Sequence, residues 1–586
     1  MQLERLRRFF CPRALVFIVV CLVLFFMLEI YLLALGPIGR EVVIYIQPPY
    51  TETVTEYDVG SRNQTRDNLT NTHQLYLKVR VHCLLQLTNN HEHLKAQHIL
   101  QTWGTRCNRM HISQGSHSIG SIYQSIYAEH YLDLDWLLHV HVDSYVIMEN
   151  LRYTLAKYKP TEEIYLRAFH AMYPYAHVGQ KDSTDYVLSR GALEQLLARS
   201  CFSTASWQDC LANMKQGPSE LLFPFQIPGE VLPFKLRSEF WNWPYIHRAV
   251  YTDQGFSKPL TYPIAFPYTT ANQLHVLEYL LYHLRPYGHA NGMPALPEGS
   301  AVQIPAVVVD DSVARELYKE VRIICMVLTY PHMYEKVART IRQTWGRRCN
   351  KLIIFSSRNQ TNLEGVHTVA LNVSEGYSLL WGKTKAAFRH VYRHHRNEAD
   401  WFFKADDDTY AIIDNMRYML HSHHKEEPIY FGCHFHPNKD ENYMSGGAGY
   451  VLSREALRRL IEHGLHSSGC NRQQSGTEDF EMGVCLKYCG IAPADSRDSY
   501  GRHRFMPLSL EHIMIPGRLH FDFWLYHYLN YKLNKGLECC STYAITIHYV
   551  MHYQMYLFDF LLYNMRPYGI IGGHEPLAVT LDNIKL

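Results

Sequence analysis

The sequence carries almost no excess charge of either sign: among 586 residues, 57 Lys and Arg stand against 55 Asp and Glu. Chains that bind a nucleic-acid polyanion usually show a basic excess, so no nucleic acid is expected as the main partner. Also missing is a small-x-small cleavage site after the N-terminal apolar run. That run, ALVFIVVCLVLFFMLEIYLLAL from Ala14 to Leu35, holds one charge, Glu29. It exceeds the roughly 7–15 residues of a signal-peptide core, which argues against a cleaved leader. As a helix it spans about 33 Å, enough to cross a bilayer. Arg5, Arg7, Arg8 and Arg13 precede it, which predicts a cytosolic tail at 1–13, an anchor at 14–35 and a luminal remainder.

Twelve of the 14 Cys lie beyond this segment, and sequons stand at Asn63, Asn68, Asn359 and Asn372. Both fit an oxidising, glycosylating compartment. The 43 Tyr and 9 Trp suit sugar-stacking surfaces and suit ordinary packing equally well.

The length exceeds what one core usually organises, so two or more domains are expected. Residues 36–75 are polar and poor in apolar periodicity, and read as a stem. Beyond them the chain repeats itself in order: VRVHCLL at Val79 with VRIICMV at Val321, TWGTRCN at Thr102 with TWGRRCN at Thr344, YVLSRGAL at Tyr186 with YVLSREAL at Tyr450, and RPYG at Arg285 with RPYG at Arg566. Such self-similarity predicts two tandem copies. The spacing grows from 242 at Trp103 and Trp345 to 281 at the two RPYG motifs, as it would if the first copy had lost segments. The predicted layout is a degenerate domain at 76–290, a Pro- and Gly-rich linker at 291–320, a second domain at 321–575 and a tail at 576–586. Each copy opens strand, helix, strand (in the second, Val321–Leu328, Tyr334–Thr344 and Lys351–Ser356), which predicts a parallel, Rossmann-like α/β sheet with ligands at the C-terminal strand ends.

The sharpest local feature is ADWFFKADDDTYAI, where an apolar strand ends in Asp406, Asp407 and Asp408. Adjacent carboxylates repel, and they suit a site where a hard divalent cation and a sugar nucleotide need oxygen ligands. A solvated acidic turn is the plainer alternative. In MSGGAGYVLS, Gly446, Gly447 and Gly449 permit close backbone approach, to a ligand or simply within a tight turn. Glu478-Asp479 precedes a helical pattern and supplies either a general base or an N-terminal helix charge.

Residues 321–570 resemble the core 1 β1,3-galactosyltransferase group of the inverting β1,3-glycosyltransferases that include Fringe. The shared stretches are TWGRRCNK, ADWFFKADDDTY, EEPIYFG, YMSGGAGYVLS, EDFEMG, DSRD, ECCS, IHYV and YNMRPYG. The resemblance implies a GT-A fold, UDP-galactose as donor, GalNAc α-linked to Ser or Thr as acceptor, and a Golgi type II membrane enzyme. It implies that Asp408 and His548 ligate Mn²⁺, with Asp406 in the ion's outer shell beside the ribose. Asp479 becomes the base for an inverting displacement, with Glu478 its neighbour. Asp407, Trp381, Lys383, Gly446 and Gly447 fall on the donor side. In the first copy His141-Val142-Asp143 replaces the acidic triplet, Pro267 replaces His548 and Gln208 replaces Glu478, although Asp209 still matches Asp479. That copy is expected to serve stability, dimer-like packing or acceptor docking. A homodimer is among the expected partners, and a non-catalytic chaperone or binding protein and a Fringe-like transferase of another sugar are the competing expectations. Cys83–Cys107 and Cys325–Cys349 are expected as equivalent disulfides, and adjacent Cys539 and Cys540 as bonded to separate partners.

Overall fold

Strand Ile323–Leu328, IICMVL, is buried at every position. A continuous apolar run of this kind belongs to a parallel strand covered on both faces. A computed structural model of the chain describes residues 65–87, 92–114, 118–167, 185–199, 215–216, 251–252, 255–256, 264–266, 269–291, 309–360, 366–439, 441–515, 519–565, 567–570 and 577. The tail and anchor expected at 1–13 and 14–35 lie outside them. Among the described residues no helix is long and apolar enough to cross a membrane.

Two six-stranded sheets organise the fold. The second runs in the order His367–Ala370, Lys351–Ser356, Ile323–Leu328, Trp401–Asp406, Tyr450–Ser453, Tyr430–Gly432. Its first four strands are parallel and Tyr450–Ser453 is antiparallel to both of its neighbours. The first sheet runs Arg109–Gln114, Val81–Leu87, Trp136–Val140, Tyr186–Ser189, Ile164–Arg167, Lys215–Gln216. The registers correspond: Trp136 faces Ser189 as Trp401 faces Ser453, and Cys83 faces Met110 as Cys325 faces Leu352. Among the described residues the edge strand His367–Ala370 has no counterpart in the first sheet.

The same buried polar network supports each sheet. Arg106 pairs with Glu278 and lies 3.6 Å from Glu149, while Tyr145 and Tyr282 donate to Glu278 and Glu149. In the second half Arg348 pairs with Asp559 and lies 3.8 Å from Asp414, while Tyr410 and Tyr563 donate to Asp559 and Asp414. Each Arg also sits over a tyrosine ring, Arg106 over Tyr282 and Arg348 over Tyr563. These charges are tolerated in the core because each is paired and hydrogen-bonded.

The halves meet across a pseudo-two-fold interface. Asn415 accepts from the Tyr287 amide at 2.7 Å and the Tyr287 ring stacks on Tyr418 at 4.0 Å. Reciprocally, Asn150 accepts from the Tyr568 amide at 2.7 Å and Tyr568 stacks on Tyr153 at 4.3 Å. One contiguous hydrophobic core contains residues of both halves.

Three expectations need correction. Residues 65–75, read as stem, belong to the helix Thr65–Lys78, because Thr72, Leu75 and Val79 bury against the fold and Tyr76 lies under the Arg152 guanidinium. Residues 312–320, read as linker, form the amphipathic helix Ser312–Glu320, with Ala314 and Leu317 buried and Tyr318 under Arg417. Ala290–Asn291 also pairs with Val309–Asp310, closing that connection. Finally, Cys539 and Cys540 bond to each other. Cys470 is taken by Cys485, Cys433 is a buried thiol, and the Cys489 thiol donates to the Arg459 and Cys485 carbonyls. Cys83–Cys107 and Cys325–Cys349 form as expected.

Candidate active site

The Trp401–Asp406 strand delivers its acids to the C-terminal edge of the sheet, where a parallel α/β sheet presents ligands. Asp408 turns toward His548, with Oδ1 3.3 Å from Nε2. His548 Nδ1–H donates to the Pro507 carbonyl at 3.0 Å. That bond orients the ring so that Nε2 faces the acids, the arrangement by which an outer hydrogen bond aims a metal-binding imidazole. Asp406, Asp408 and His548 place one ligand atom each within 4.8 Å of one another. Two carboxylates and one imidazole are a donor set for a cation such as Mn²⁺. Tyr549 stacks on His548 at 3.8 Å and is the one non-glycine residue with positive φ among the described residues. Backbone strain of this kind clusters where geometry is functionally constrained.

Asp407 points elsewhere. It accepts from Thr329 Oγ1 at 2.6 Å, and burial together with Asp408 and Asp406 raises its carboxyl to about 6 against the pull of that hydrogen bond. Lys383 is buried, donating to the Thr329 carbonyl at 2.7 Å and to Glu375 at 2.8 Å. Its ammonium is thus held between Glu375 and the residue that follows strand Ile323–Leu328. Trp381 has no exposed surface, and its indole N–H donates to the Asn471 carbonyl. Its expected donor contact is corrected to a packing role, because a fully covered ring has no face left for a ligand.

Lys404 is the residue that the sequence reading missed. Its ammonium, nearly fully buried, lies 2.6 Å from Asp406, 3.3 Å from Glu478 and 3.3 Å from the Gly446 carbonyl. Burial alone would lower its pKa, yet Asp406 and Glu478 together raise it and hold the charge. A lone Lys inside an apolar strand was the available signal, since a buried ammonium requires anionic partners.

The carboxylate pair divides by environment. Glu478 is buried, accepting from Tyr450 Oη at 2.6 Å and pairing with Lys404. Asp479 is partly open at the start of helix Glu478–Lys487 and accepts from the Gly446 amide at 2.9 Å and the Phe480 amide at 2.9 Å. Burial raises its pKa against those two amide bonds. Of the two, Asp479 is the one that keeps exposed surface. A Cβ on Gly447 would overlap the His548 ring, and one on Gly446 would crowd Glu478 and Asp479. Both glycines thus let the site's own side chains converge.

In the first half the equivalent positions hold different chemistry. His139 stands in the register of Lys404 and contacts the Tyr123 and Tyr186 hydroxyls. Asp143, in the register of Asp408, is ion-paired by Lys95. Asp185, at the position of Gly449, accepts from the His141 amide at 2.7 Å and from Ser144. The helix Ile119–His130 is capped by Ser118, so it lacks the first turn that carries Trp381 and Lys383 in helix Leu380–His395. Pro267, Gln208 and Asp209 lie outside the described residues.

Known proteins agree with this division. A Fringe-like family profile matches residues 320–498. Glycoprotein-N-acetylgalactosamine 3-beta-galactosyltransferase 1 of Xenopus laevis is 39% identical over 300 residues, 50% of this chain and 81% of the relative. Beta-1,3-glucosyltransferase of Mus musculus is 27% identical over 154 residues, 26% of this chain and 30% of the relative. The solved apo-form glycosyltransferase GlyE of Streptococcus pneumoniae covers 56% of this chain and 91% of its own at 9% identity, with a TM-score of 0.19, too low to bear on the fold. On the extent and identity of the Xenopus match, the chain belongs to the β1,3-galactosyltransferase group and is a glycosyltransferase.

Proposed function

We propose that the second half transfers galactose from UDP-galactose, in β1,3 linkage and with inversion, to GalNAc α-linked to Ser or Thr of glycoproteins. The observation that carries this reading is the convergence of Asp406, Asp408 and His548 beside an accessible Asp479 in a chain of this family. Mn²⁺ would be held by Asp408 and His548 with Asp406 alongside, and when bound it would screen the charge of the leaving diphosphate. Asp479 removes the proton from the acceptor hydroxyl, its own position fixed by the two amide bonds. Lys404 holds Asp406 and Glu478 apart from that task by neutralising both. Lys383, its ammonium paired with Glu375, would act on the donor side through Thr329, which binds Lys383 by its carbonyl and Asp407 by its hydroxyl.

The first half, on this reading, is a tandem copy that keeps the core and has lost the site, and it supplies the interface that a second subunit would otherwise provide. On the same reading, an anchor at 14–35 would hold the enzyme in the Golgi membrane with both halves luminal. The test is a screen of radiolabelled UDP-sugars with a GalNAc-peptide acceptor and the full chain. Galactose transfer that requires Mn²⁺ and stops with EDTA is the expected result, whereas preference for UDP-GlcNAc would overturn the donor and full activity without metal would overturn the cation.

A further inference from the structure

A second set of metal-ligating side chains lies away from the active site, at the opposite end of helix Leu380–His395. His390 and His395 come from its last turns, and His367 heads the edge strand packed beside it. The ring centroids of His367 and His395 are 5.5 Å apart, and those of His390 and His395 are 5.7 Å apart. One nitrogen of each ring lies within 4.8 Å of the others. His390 Nε2 and His395 Nε2 are buried without any hydrogen-bond partner. Two orphaned polar atoms side by side are costly unless something else satisfies them.

From this geometry we infer that His367, His390 and His395 bind a transition metal of borderline softness, Zn²⁺ above all. An all-imidazole donor set favours Zn²⁺, Cu²⁺ or Ni²⁺ over the Mn²⁺, Mg²⁺ and Ca²⁺ that oxygen-rich sites select. His395 Nδ1 lies 2.9 Å from Glu398, and Lys351 lies 3.1 Å from the same nitrogen and 2.7 Å from Glu398. With Nδ1–H donating to Glu398, the Nε2 lone pair faces His390 and His367, the carboxylate–histidine relay that orients metal ligands. Glu398 also neutralises Lys351, the positive charge nearest the site. Nitrogens on tetrahedral Zn²⁺ at about 2.0–2.1 Å stand about 3.3 Å apart. The rings must therefore draw in by up to about 1.5 Å, which the solvent-exposed His367 side chain can supply. Water fills the remaining position.

Among the described residues the first sheet has no strand equivalent to His367–Ala370, and the three histidines clustered there are His82, His111 and His130, the first two at positions where the second half has Ile324 and Ile353. Bound metal would clamp the sheet edge to the helix whose first turn carries Lys383.

The test uses the full chain carrying Asp408→Asn and His548→Ala, so that the candidate catalytic cation site is silenced. Equilibrium dialysis against Zn²⁺ should give about one tightly held ion per chain, and Zn²⁺ should raise Tm. Adding His367→Ala, an exposed position, should abolish both responses while leaving the metal-free Tm unchanged. Glu398→Gln should weaken Zn²⁺ binding about 10–100-fold, the usual effect of losing an outer-shell partner. Co²⁺ should give the visible absorption of a tetrahedral imidazole site, absent after His367→Ala. No stoichiometric Zn²⁺ in the silenced chain, or Zn²⁺ held equally well after His367→Ala, would overturn the assignment.

Discussion

At the end of the Trp401–Asp406 strand two carboxylates and a histidine converge, whereas at the same register in the first sheet Lys95 is already ion-paired to the single remaining acid, Asp143. Behind these ends the halves are nearly interchangeable: the same Arg–carboxylate–tyrosine network, the same strand registers, the same stacked tyrosines at the interface. The difference teaches that packing and chemistry are separable in this fold. A side-chain ammonium offsets an acid without ligand, so a site can be discharged while the strand that presented it stays intact.

The largest effect tests the sameness. Asp559→Asn and Glu278→Gln each take from a buried guanidinium the nearer of its two carboxylates, leaving only Asp414 at 3.8 Å or Glu149 at 3.6 Å. Each should cost about 3–5 kcal/mol, and because the core is continuous each should lower the melting temperature of the whole chain in one calorimetric transition. Two separated transitions would show that the halves unfold independently.

The next tests the difference. Asp479→Asn should reduce turnover by about 10²-fold or more, the usual scale for a positioned base, with UDP binding retained. Asp143→Asn, at the discharged site, should leave kcat within about twofold of wild type on the same scale. Equal losses from both would mean that the first half takes part in chemistry.

How much of this was readable beforehand depends on how far apart the interacting residues lie. The strands, the acidic triplet and two disulfides follow from local motifs and the repeat, whereas the metal-binding expectation for His548 comes only from the family resemblance. Lys404 did not, since its partner Glu478 lies 74 residues on, and apolar periodicity reports that a position is inside without reporting what meets it there. Trp381 erred in the other direction, because a motif preserves packing residues as faithfully as ligand contacts. The helices at Thr65–Lys78 and Ser312–Glu320 were hidden because polar composition masked a few well-placed apolar residues.

A smaller effect probes the interface. Asn415→Ala leaves the buried Tyr287 amide unpaired, and Asn150→Ala does the same to Tyr568. Each should cost about 1–3 kcal/mol, and near-equal shifts in denaturation midpoint would establish the two-fold equivalence.

The smallest concerns acid. In the first half burial, then His111, holds His82 down to about 3, and burial, then His130 and Arg109, holds His111 down to about 4, although Asp133 and Glu129 oppose this. Both rings are neutral when folded and protonate near 6.5 when unfolded. Their contribution is therefore complete above about pH 6.5 and is lost as pH falls from there toward about 4. Replacing both with Ile, the residues of the second half, should flatten the decline in Tm between pH 6.5 and 4.5 relative to wild type. An unchanged slope would place the acid sensitivity elsewhere.

The reciprocal Tyr287–Asn415 and Tyr568–Asn150 contacts have an evolutionary corollary. When two separate identical subunits meet across a dyad, every substitution is made twice, so neither can specialise without the other. Here both faces lie on one polypeptide and are specified by different codons. Association no longer depends on concentration, and each face can change alone, as the different side chains at the two strand ends do.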